Sequence, residues 1–150
     1  MILAVKKCNE QIEKRYQINK KTDVILTIKE RIEEERYEVD FRTYGIEGSE
    51  VNEALECLEK NCVGESVGLL LSANDINDHG LKKIVDVCQK NNIQLLYVDA
   101  SHNHIQKEGL QFLLHFFPNV KVDIQMNFIT HVDLKSIFEK NTFTMNQVHI

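Results

Sequence analysis

The chain has 150 residues, of which 43% are hydrophobic and 27% are charged, a composition typical of one globular domain that folds without disulfides or metals. No stretch approaches the ~20 apolar residues that a membrane span requires, and the apolar start of the chain is too short for a secretory signal. These features argue against a membrane protein and favour a cytoplasmic location.

The net charge of −5 is unevenly distributed along the chain. Residues 1–36 carry nine basic and seven acidic side chains, whereas the remainder carries nine basic and sixteen acidic ones. Phosphate contacts supply most of the affinity for nucleic acids, so this acidic body disfavours a nucleic-acid partner. It is better suited to a protein partner that presents a basic patch.

Residues 1–35 contain two short apolar runs, at 2–5 and 24–28, whose composition predicts β-strands. This segment does not share the repeat found downstream, and we interpret it as an N-terminal cap that covers the end of a repetitive core. The alternative is a basic arm for an anionic partner, built on Lys6, Lys7, Lys14, Arg15, Lys20 and Lys21.

The first copy of an internal repeat begins near residue 36 and is a weak one. Its apolar positions predict a strand, a turn and a helix in that order: Val39, Phe41, Ile46, Val51, Leu55 and Leu58. Tyr44 stands where the later copies have an asparagine, so the turn of this copy is expected to differ.

The clearest copies are residues 69–76 and 98–105, which are offset by 29 residues. The same offset relates Gly80 to Gly109 and aligns the apolar positions of the helical segment that follows each copy. A fixed period of this length is the signature of a repeat architecture.

Two further copies follow. One begins after a 24-residue step and contains Val122, Ile124, Asn127 and Ile129. The other is only the opening of a unit, formed by Met145, Val148 and Ile150. A final strand there would have one paired and one bare edge, which predicts either a homo-oligomer formed through the C-terminal strand or a chain that is part of a longer repeat array.

This pattern resembles the leucine-rich-repeat family, in particular its ribonuclease-inhibitor-like class, whose consensus is L-x-x-L-x-L-x-x-N-x-L followed by a glycine and a helix. Five positions of the consensus are filled in order by Leu95, Val98, Ala100, Asn103 and Ile105. The resemblance implies an α/β leucine-rich-repeat solenoid, a horseshoe arc with a parallel concave sheet and helices on its convex side. Residues 36–150 would form about four units plus a final partial unit, with residues 1–35 as the N-terminal cap.

Five residues are expected to shape the turns of these units. The side chains of Asn74, Asn103 and Asn127 can hydrogen-bond to backbone groups where the chain bends after each strand. Gly80 and Gly109 are expected to admit either a tight turn or a close approach of the helix.

The outward side chains of successive strands should form columns on one face of the sheet. One column contains Asp40, Asp99 and Asp123, and like charges about 4.8 Å apart repel one another unless a cationic partner relieves them. A plain solvated surface, where salt screens the repulsion, is the alternative. The predicted partner-binding residues on this face are Asp40, Arg42, Tyr97, Asp99, His102, Asp123 and Met126.

Sequence motifs of catalysis and metal binding are not found. The chain has no Gly-rich phosphate loop, His-Glu-x-x-His motif or nucleophile elbow. Its four cysteines lack Cys-x-x-Cys spacing and are expected to be reduced, buried and inert. We therefore expect a protein that is not an enzyme and that uses no metal or cofactor.

The expected function is a protein–protein interaction module that binds its partner through the concave sheet. A short repeat chain rich in Asn, Lys and Ile also resembles leucine-rich-repeat effectors of intracellular bacteria, which implies action in a host cytosol. The alternatives are an assembly protein joined through the solenoid ends and a binder of anionic partners through the basic N-terminal segment.

Overall fold

The computed structural model describes residues 38–43, 45–141 and 144–150, together with Lys6, Lys7 and Glu10. The predicted cap at residues 1–35 and the atypical turn at Tyr44 therefore lie outside the described residues, apart from those three positions. Over the described ranges, no helix is both long and apolar enough to cross a bilayer.

Strands and helices alternate along residues 38–150. In chain order they are β1 (Glu38–Asp40), β2 (Glu47–Gly48), α1 (Asn52–Asn61), β3 (Ser66–Leu70), β4 (Asp75–Ile76), α2 (Asp78–Lys90), β5 (Gln94–Asp99), α3 (Lys107–Phe116), β6 (Lys121–Asp123), α4 (His131–Lys140), a 3₁₀ turn (Met145–Gln147) and β7 (Val148–His149). The result is a mixed α/β structure.

Five of the strands form a parallel sheet in the order β1-β3-β5-β6-β7. Val98 pairs with Leu69 on one side and with Val122 on the other, so the 29-residue and 24-residue steps predicted from the sequence are the observed register. The side chains of these three residues are buried, as expected for alternate positions that face the core. Leu96 is the extra residue of a bulge in β5 and is half exposed.

The helices pack side by side in chain order, α1 against α2, α2 against α3 and α3 against α4. In α2 the side chains of Leu81, Ile84 and Cys88 recur at helical spacing and are buried. Asn77 precedes this helix and accepts a hydrogen bond from the backbone N–H of Gly80 at 3.0 Å, which satisfies a free donor of the first turn. Pro118 follows the end of α3, where a proline cannot continue the helix.

Gly80 and Gly109 serve close packing of a helix on the preceding unit. A Cβ atom at position 80 would lie 2.3 Å from the carbonyl oxygen of Gly48, and one at position 109 would lie 2.3 Å from Oδ1 of Asp78. Both glycines are the third residue of their helix. Of the two roles that the sequence left open, the close approach is the one observed.

A single apolar core lies between the sheet and the helices. Cys57, Cys62 and Cys88 belong to it and are not joined in disulfides, which confirms the prediction for these three, whereas Cys8 lies outside the described residues. Burial raises the pKa of the Cys88 thiol to about 12, with a smaller contribution from Cys62. The thiol is therefore protonated and unreactive at neutral pH.

The C-terminal residues return to the sheet. β7 pairs in parallel with β6, and Val148 lies opposite Val122, which is the register predicted from the partial final repeat. Before it, α4 begins with a capping box in which Thr130 and Asp133 exchange side-chain and backbone hydrogen bonds. The sheet thus gains a fifth strand after the last helix.

Candidate interaction surface

The outward side chains of β1, β3, β5 and β6, with the residues that follow each strand, form one surface, which we call the sheet face. Its first column pairs Gly68 with Glu38 on one side and Tyr97 on the other, and Tyr97 in turn with Lys121. Lys121 is exposed and Tyr97 is half-buried. The predicted partner-binding residue Tyr97 therefore lies on this face, next to a basic side chain.

Behind the sheet face, an asparagine follows each strand in the last three turns, and we call this series the Asn ladder. The Asn103 amide donates to the carbonyl oxygens of Ala100 and Leu71, at 3.1 and 2.9 Å, and its Oδ1 accepts from the N–H of Ile76 at 2.9 Å. Ala100 belongs to its own turn, whereas Leu71 and Ile76 belong to the preceding one. Each such side chain therefore joins two successive turns.

Asn74 and Asn127 make the equivalent bonds. Asn74 donates to the carbonyl oxygen of Phe41 at 2.9 Å and accepts from the N–H of Ile46 at 3.1 Å. Asn127 donates to the carbonyl oxygen of Ala100 at 2.8 Å. Asn74 and Asn103 are buried and Asn127 is half-buried. The predicted structural role of the three residues agrees with these contacts.

A second polar series, which we call the Asp column, stands on the sheet face in the same register, with Asp99 opposite Asp123 and with Asp40 opposite Leu70. Each carboxylate accepts the backbone N–H two residues later: Arg42 N at 3.1 Å from Asp40, Ser101 N at 3.1 Å from Asp99 and Gln125 N at 3.0 Å from Asp123. These are local bonds that turn the chain at the end of each strand.

Side chains also donate hydrogen bonds to the three carboxylates. Arg42 contacts Asp40 with two nitrogens, at 2.9 and 2.7 Å, and this hydrogen-bonded pair raises the pKa of the guanidinium further above its ordinary value. The Ser101 hydroxyl donates to Asp99 at 2.7 Å, and Gln125 donates to Asp123 at 3.3 Å. Arg42 therefore neutralises Asp40, whereas the adjacent carboxylates of Asp99 and Asp123 accept hydrogen bonds from the neutral side chains of Ser101 and Gln125.

The three aspartates differ in how far their carboxylates are exposed to a partner. Asp40 is only 3% exposed and is neutralised by Arg42, and Leu70 between it and Asp99 is equally buried. Asp99 and Asp123 remain partly accessible. Among the predicted binding residues of this column, the accessible negative charge is therefore concentrated on Asp99 and Asp123.

The residue before each ladder position adopts a left-handed backbone conformation that the sequence did not predict. The φ angles are +57° at Thr43, +56° at Ala73, +53° at His102 and +56° at Met126. All four residues are exposed, and Met126 is 72% exposed. His102 and Met126, two of the predicted binding residues, are thus held at a strained corner of the sheet face.

Sequence reasoning also missed Phe128, which is 62% exposed. Its ring stacks on that of His104 at a centroid distance of 5.3 Å, and His104 Nε2 lies 3.8 Å from Asp75 Oδ1. These residues follow the ladder positions of successive turns. The sequence does contain a signal that could have identified Phe128: an aromatic residue stands at a repeat position that is polar, as Asp75 and His104, in the two preceding copies.

No ligand set for a metal emerges from the part of the chain that the structure describes, where no three His, Cys, Asp or Glu side chains come together in a suitable group. His149 Nδ1 lies 3.2 Å from Asp123 Oδ2 and is the nearest histidine contact to the Asp column. This places a titratable side chain beside the sheet face.

Comparisons with known proteins agree with the repeat. No family model matches the chain. The chain is similar to leucine-rich repeat-containing protein 42 of Danio rerio, with 30% identity over 120 residues. The alignment covers 75% of this chain but 30% of that protein, so the chain spans less than a third of its relative's length. The match supports a leucine-rich-repeat relationship.

Proposed function

We propose that residues 36–150 form a leucine-rich-repeat solenoid that binds a protein partner through the sheet face and catalyses no reaction. Three features support the solenoid: parallel strands at a repeating sequence step, helices that pack in chain order, and an Asn ladder that joins each turn to the one before. The similarity to a leucine-rich-repeat protein supports the same family. Residues 1–35 would cover the first turn as a cap.

The observation that carries the binding role is the accessible, acidic character of the sheet face. Asp99 and Asp123 stand side by side, partly accessible, next to Tyr97. The basic side chains near them are Lys121, Arg42, which is paired with Asp40, and His149, which lies beside Asp123. Aromatic side chains are enriched in the centres of interfaces, and adjacent carboxylates attract cationic groups. The partner that fits this face is therefore a protein with a basic patch.

The size of the face limits the affinity. Four strands offer four outward positions each, whereas a standard interface uses roughly 20–30 residues a side. Binding by this face alone is therefore expected to be modest, with a dissociation constant on the order of micromolar.

The proposal is tested by comparing the proteins that the wild type captures with those captured by a variant whose sheet face is charge-reversed. The variant Tyr97→Ala with Asp99→Lys changes two neighbouring residues of β5 and removes the aromatic contact and one carboxylate. The matched control is Asp86→Lys, which makes the same charge reversal on the exposed side of α2. We expect quantitative mass spectrometry to find a protein that is retained by the wild type and by the control and lost from the double variant.

Circular dichroism must show that the double variant is folded. A partner that binds all three proteins equally would contradict the sheet face as the binding site. A salt titration distinguishes the alternative of a nucleic-acid partner. Phosphate-driven binding by the basic segment 1–21 would fall steeply as the salt concentration rises and would not depend on Tyr97.

An effector role in a host cytosol is a further part of the proposal and rests on the sequence resemblance alone. The relative found is a fish protein, and its name gives no information on such a role. A cytoplasmic location is also part of the proposal. It is supported by the cysteines, because three of them are buried free thiols in the core, the state that a reducing compartment maintains.

A further inference from the structure

One carboxylate of the Asp column already holds a guanidinium from this chain. Asp40 accepts the backbone N–H of Arg42 at Oδ1, which anchors the carboxylate in its own turn. The Arg42 side chain then donates from Nε to Oδ1 at 2.9 Å and from a terminal nitrogen to Oδ2 at 2.7 Å. A carboxylate that is anchored in this way therefore still accepts a planar guanidinium with both of its oxygens.

Asp99 has the same anchor, two turns later, but no arginine beside it. Its Oδ1 accepts the backbone N–H and the hydroxyl of Ser101, at 3.1 and 2.7 Å. Its Oδ2 receives no hydrogen bond from any residue that the structure describes, because the short serine side chain bonds to Oδ1 alone. The carboxylate is partly accessible, so this oxygen can accept a donor from outside the chain.

A second carboxylate stands beside it on the next strand. Asp123 pairs with Asp99 across β5 and β6, and neighbouring strands lie about 4.8 Å apart. Its Oδ2 makes long contacts, 3.3 Å to Gln125 Nε2 and 3.2 Å to His149 Nδ1. Both strands are interior to the sheet, with β3 on one side and β7 on the other, so the pair does not depend on either edge of the sheet. Two adjacent carboxylates attract one cation more strongly than either would alone.

An exposed apolar side chain lies further back on the same strand. The bulge of β5 adds Leu96 between the buried Leu95 and the outward Tyr97, and Leu96 is 51% exposed. It precedes Asp99 by three residues, or about 10 Å along the strand. Lys121, opposite Tyr97, disfavours a second cation near Leu96. This part of the sheet face therefore fits a segment that carries one cationic group and an apolar group about 10 Å from it.

We propose that the sheet face recognises an arginine of its protein partner, whose guanidinium binds Oδ2 of Asp99 and the neighbouring carboxylate of Asp123. An apolar side chain of the same partner segment packs on Leu96. This assignment rests on the binding role of the sheet face proposed above and specifies the chemistry of the partner.

Arginine fits this arrangement better than lysine does. A guanidinium has donors on two edges of one plane, so it can serve two carboxylates at once, as a compact ammonium cannot do with the same geometry. It is also more weakly hydrated, and its plane can stack on an aromatic ring such as that of Tyr97. The contact of Arg42 with Asp40 shows the same pairing within the chain.

NMR titration of the full chain with two blocked hexapeptides tests the choice of arginine. The probes are Gly-Arg-Gly-Gly-Leu-Gly and the same peptide with lysine in place of arginine, and each is also used in reversed order to cover both directions of binding. The amide signals of Ser101 and Gln125 report on binding, because their N–H groups donate to the two carboxylates. We expect a dissociation constant on the order of millimolar for the arginine peptide in one of the two orders. The lysine peptide should bind at least about threefold more weakly.

A charge-removing variant shows whether the peptide binds at the proposed carboxylates. Asp99→Asn should weaken the arginine peptide by at least about fivefold, whereas the matched control Asp86→Asn on α2 should leave its affinity unchanged. No binding of either peptide, or binding that survives Asp99→Asn, would overturn the proposal. Equal affinities for the arginine and lysine peptides, both weakened in Asp99→Asn, would overturn the assignment of arginine and leave the acidic sheet face of the proposed function standing. The capture experiment tests that function separately, because it uses native partners.

Leu96→Ser tests the apolar contact. We expect it to weaken the peptide that contains leucine by about threefold and to leave unchanged a peptide in which alanine replaces the leucine. Val132→Ser on α4, which removes an exposed apolar side chain away from the sheet face, is the matched control and should affect neither peptide. If the leucine and alanine peptides bind the wild type equally, or lose affinity equally in Leu96→Ser, the apolar part of the proposal is overturned.

Discussion

The Asn ladder and the Asp column repeat with the same period, one behind the sheet face and one on it. The Asn ladder joins successive turns, whereas the Asp column makes hydrogen bonds within each turn. Asn103 is 3% exposed, and its bonds to Leu71 and Ile76 reach into the preceding turn. Asp99 is partly accessible, and its bonds to Ser101 stay within two residues. Periodicity alone therefore does not separate a structural residue from one available to a partner. Burial and the sequence distance to the bonded group do.

Asn103→Ala is expected to have the largest effect, because it leaves the buried N–H of Ile76 without its acceptor and removes one of the two ladder donors from each of the carbonyl oxygens of Leu71 and Ala100. We expect the free energy of unfolding to fall by about 2–3 kcal/mol. Chemical denaturation measures it, and Asn127→Ala is the matched control. Because Asn127 is half-buried and water can replace its bonds, its loss should cost about half as much. An unchanged midpoint for Asn103→Ala would place this residue outside the core.

Gly80→Ala extends the comparison to a second buried repeat position. The new Cβ would meet the carbonyl oxygen of Gly48, which is backbone and cannot rotate away, so we expect a loss of about 1–2 kcal/mol despite the better helix propensity of alanine. At Gly109 the nearest obstacle is the Asp78 carboxylate, which can rotate away at the loss of its exposed hydrogen bond from the N–H of Gln106, and the nearest backbone atom, the Cα of Asp78, would be 3.2 Å away. The same substitution there should cost less than about 1 kcal/mol. The reverse order in thermal denaturation would contradict the packing described for these glycines.

Asp99→Ala tests the Asp column. It removes two hydrogen bonds to Ser101 at a position that water can reach, so we expect a loss of only about 0.5–1 kcal/mol. Asp99→Asn keeps an oxygen for both donors and should cost close to nothing. If Asp99→Ala proved as damaging as Asn103→Ala, the distinction between the two series would disappear.

Ala73→Gly should have the smallest effect and the opposite sign. Ala73 has a φ of +56°, where its Cβ is strained, and glycine adopts that conformation freely. Part of the gain is offset by the larger entropy of glycine in the unfolded chain, so we expect a stabilisation of about 0.5 kcal/mol. Ser72→Gly, one residue earlier, should instead destabilise. A loss of stability in Ala73→Gly would show that the strain is not real.

The sequence predicted the sheet register, the helices and the Asn ladder because each depends on side chains that recur at a fixed step. The left-handed corner at Thr43, Ala73 and Met126 could not be predicted, because threonine, alanine and methionine rarely adopt that conformation and the geometry of the turn imposes it. The exposure of Phe128 depends on what packs next to it, which no periodic pattern encodes.

The hydrogen-bond donors to the Asp column could be predicted in part from the sequence. Asp40, Asp99 and Asp123 are each followed two residues later by a side chain that can donate, and this spacing is the signature of the local bonds observed. The column of like charges indicated repulsion between neighbouring strands, whereas the hydrogen bonds of these carboxylates run to residues further along the same chain segment. Whether Asp99 and Asp123 also bind a partner remains a proposal.

The most direct test of that proposal separates charge from hydrogen bonding. The double variant Asp99→Asn with Asp123→Asn keeps an acceptor oxygen for the backbone N–H groups of Ser101 and Gln125 and removes the two negative charges from the sheet face. Besides the charges it gives up only the contacts of Asp123 Oδ2 with Gln125 Nε2 and His149. Asp86→Asn on α2 removes a charge from the other side as a control. Titration of the captured partner should show binding at least about tenfold weaker for the double variant, with the control and the stability of all three proteins unchanged. Equal affinities for the double variant and the control would contradict binding through the sheet face.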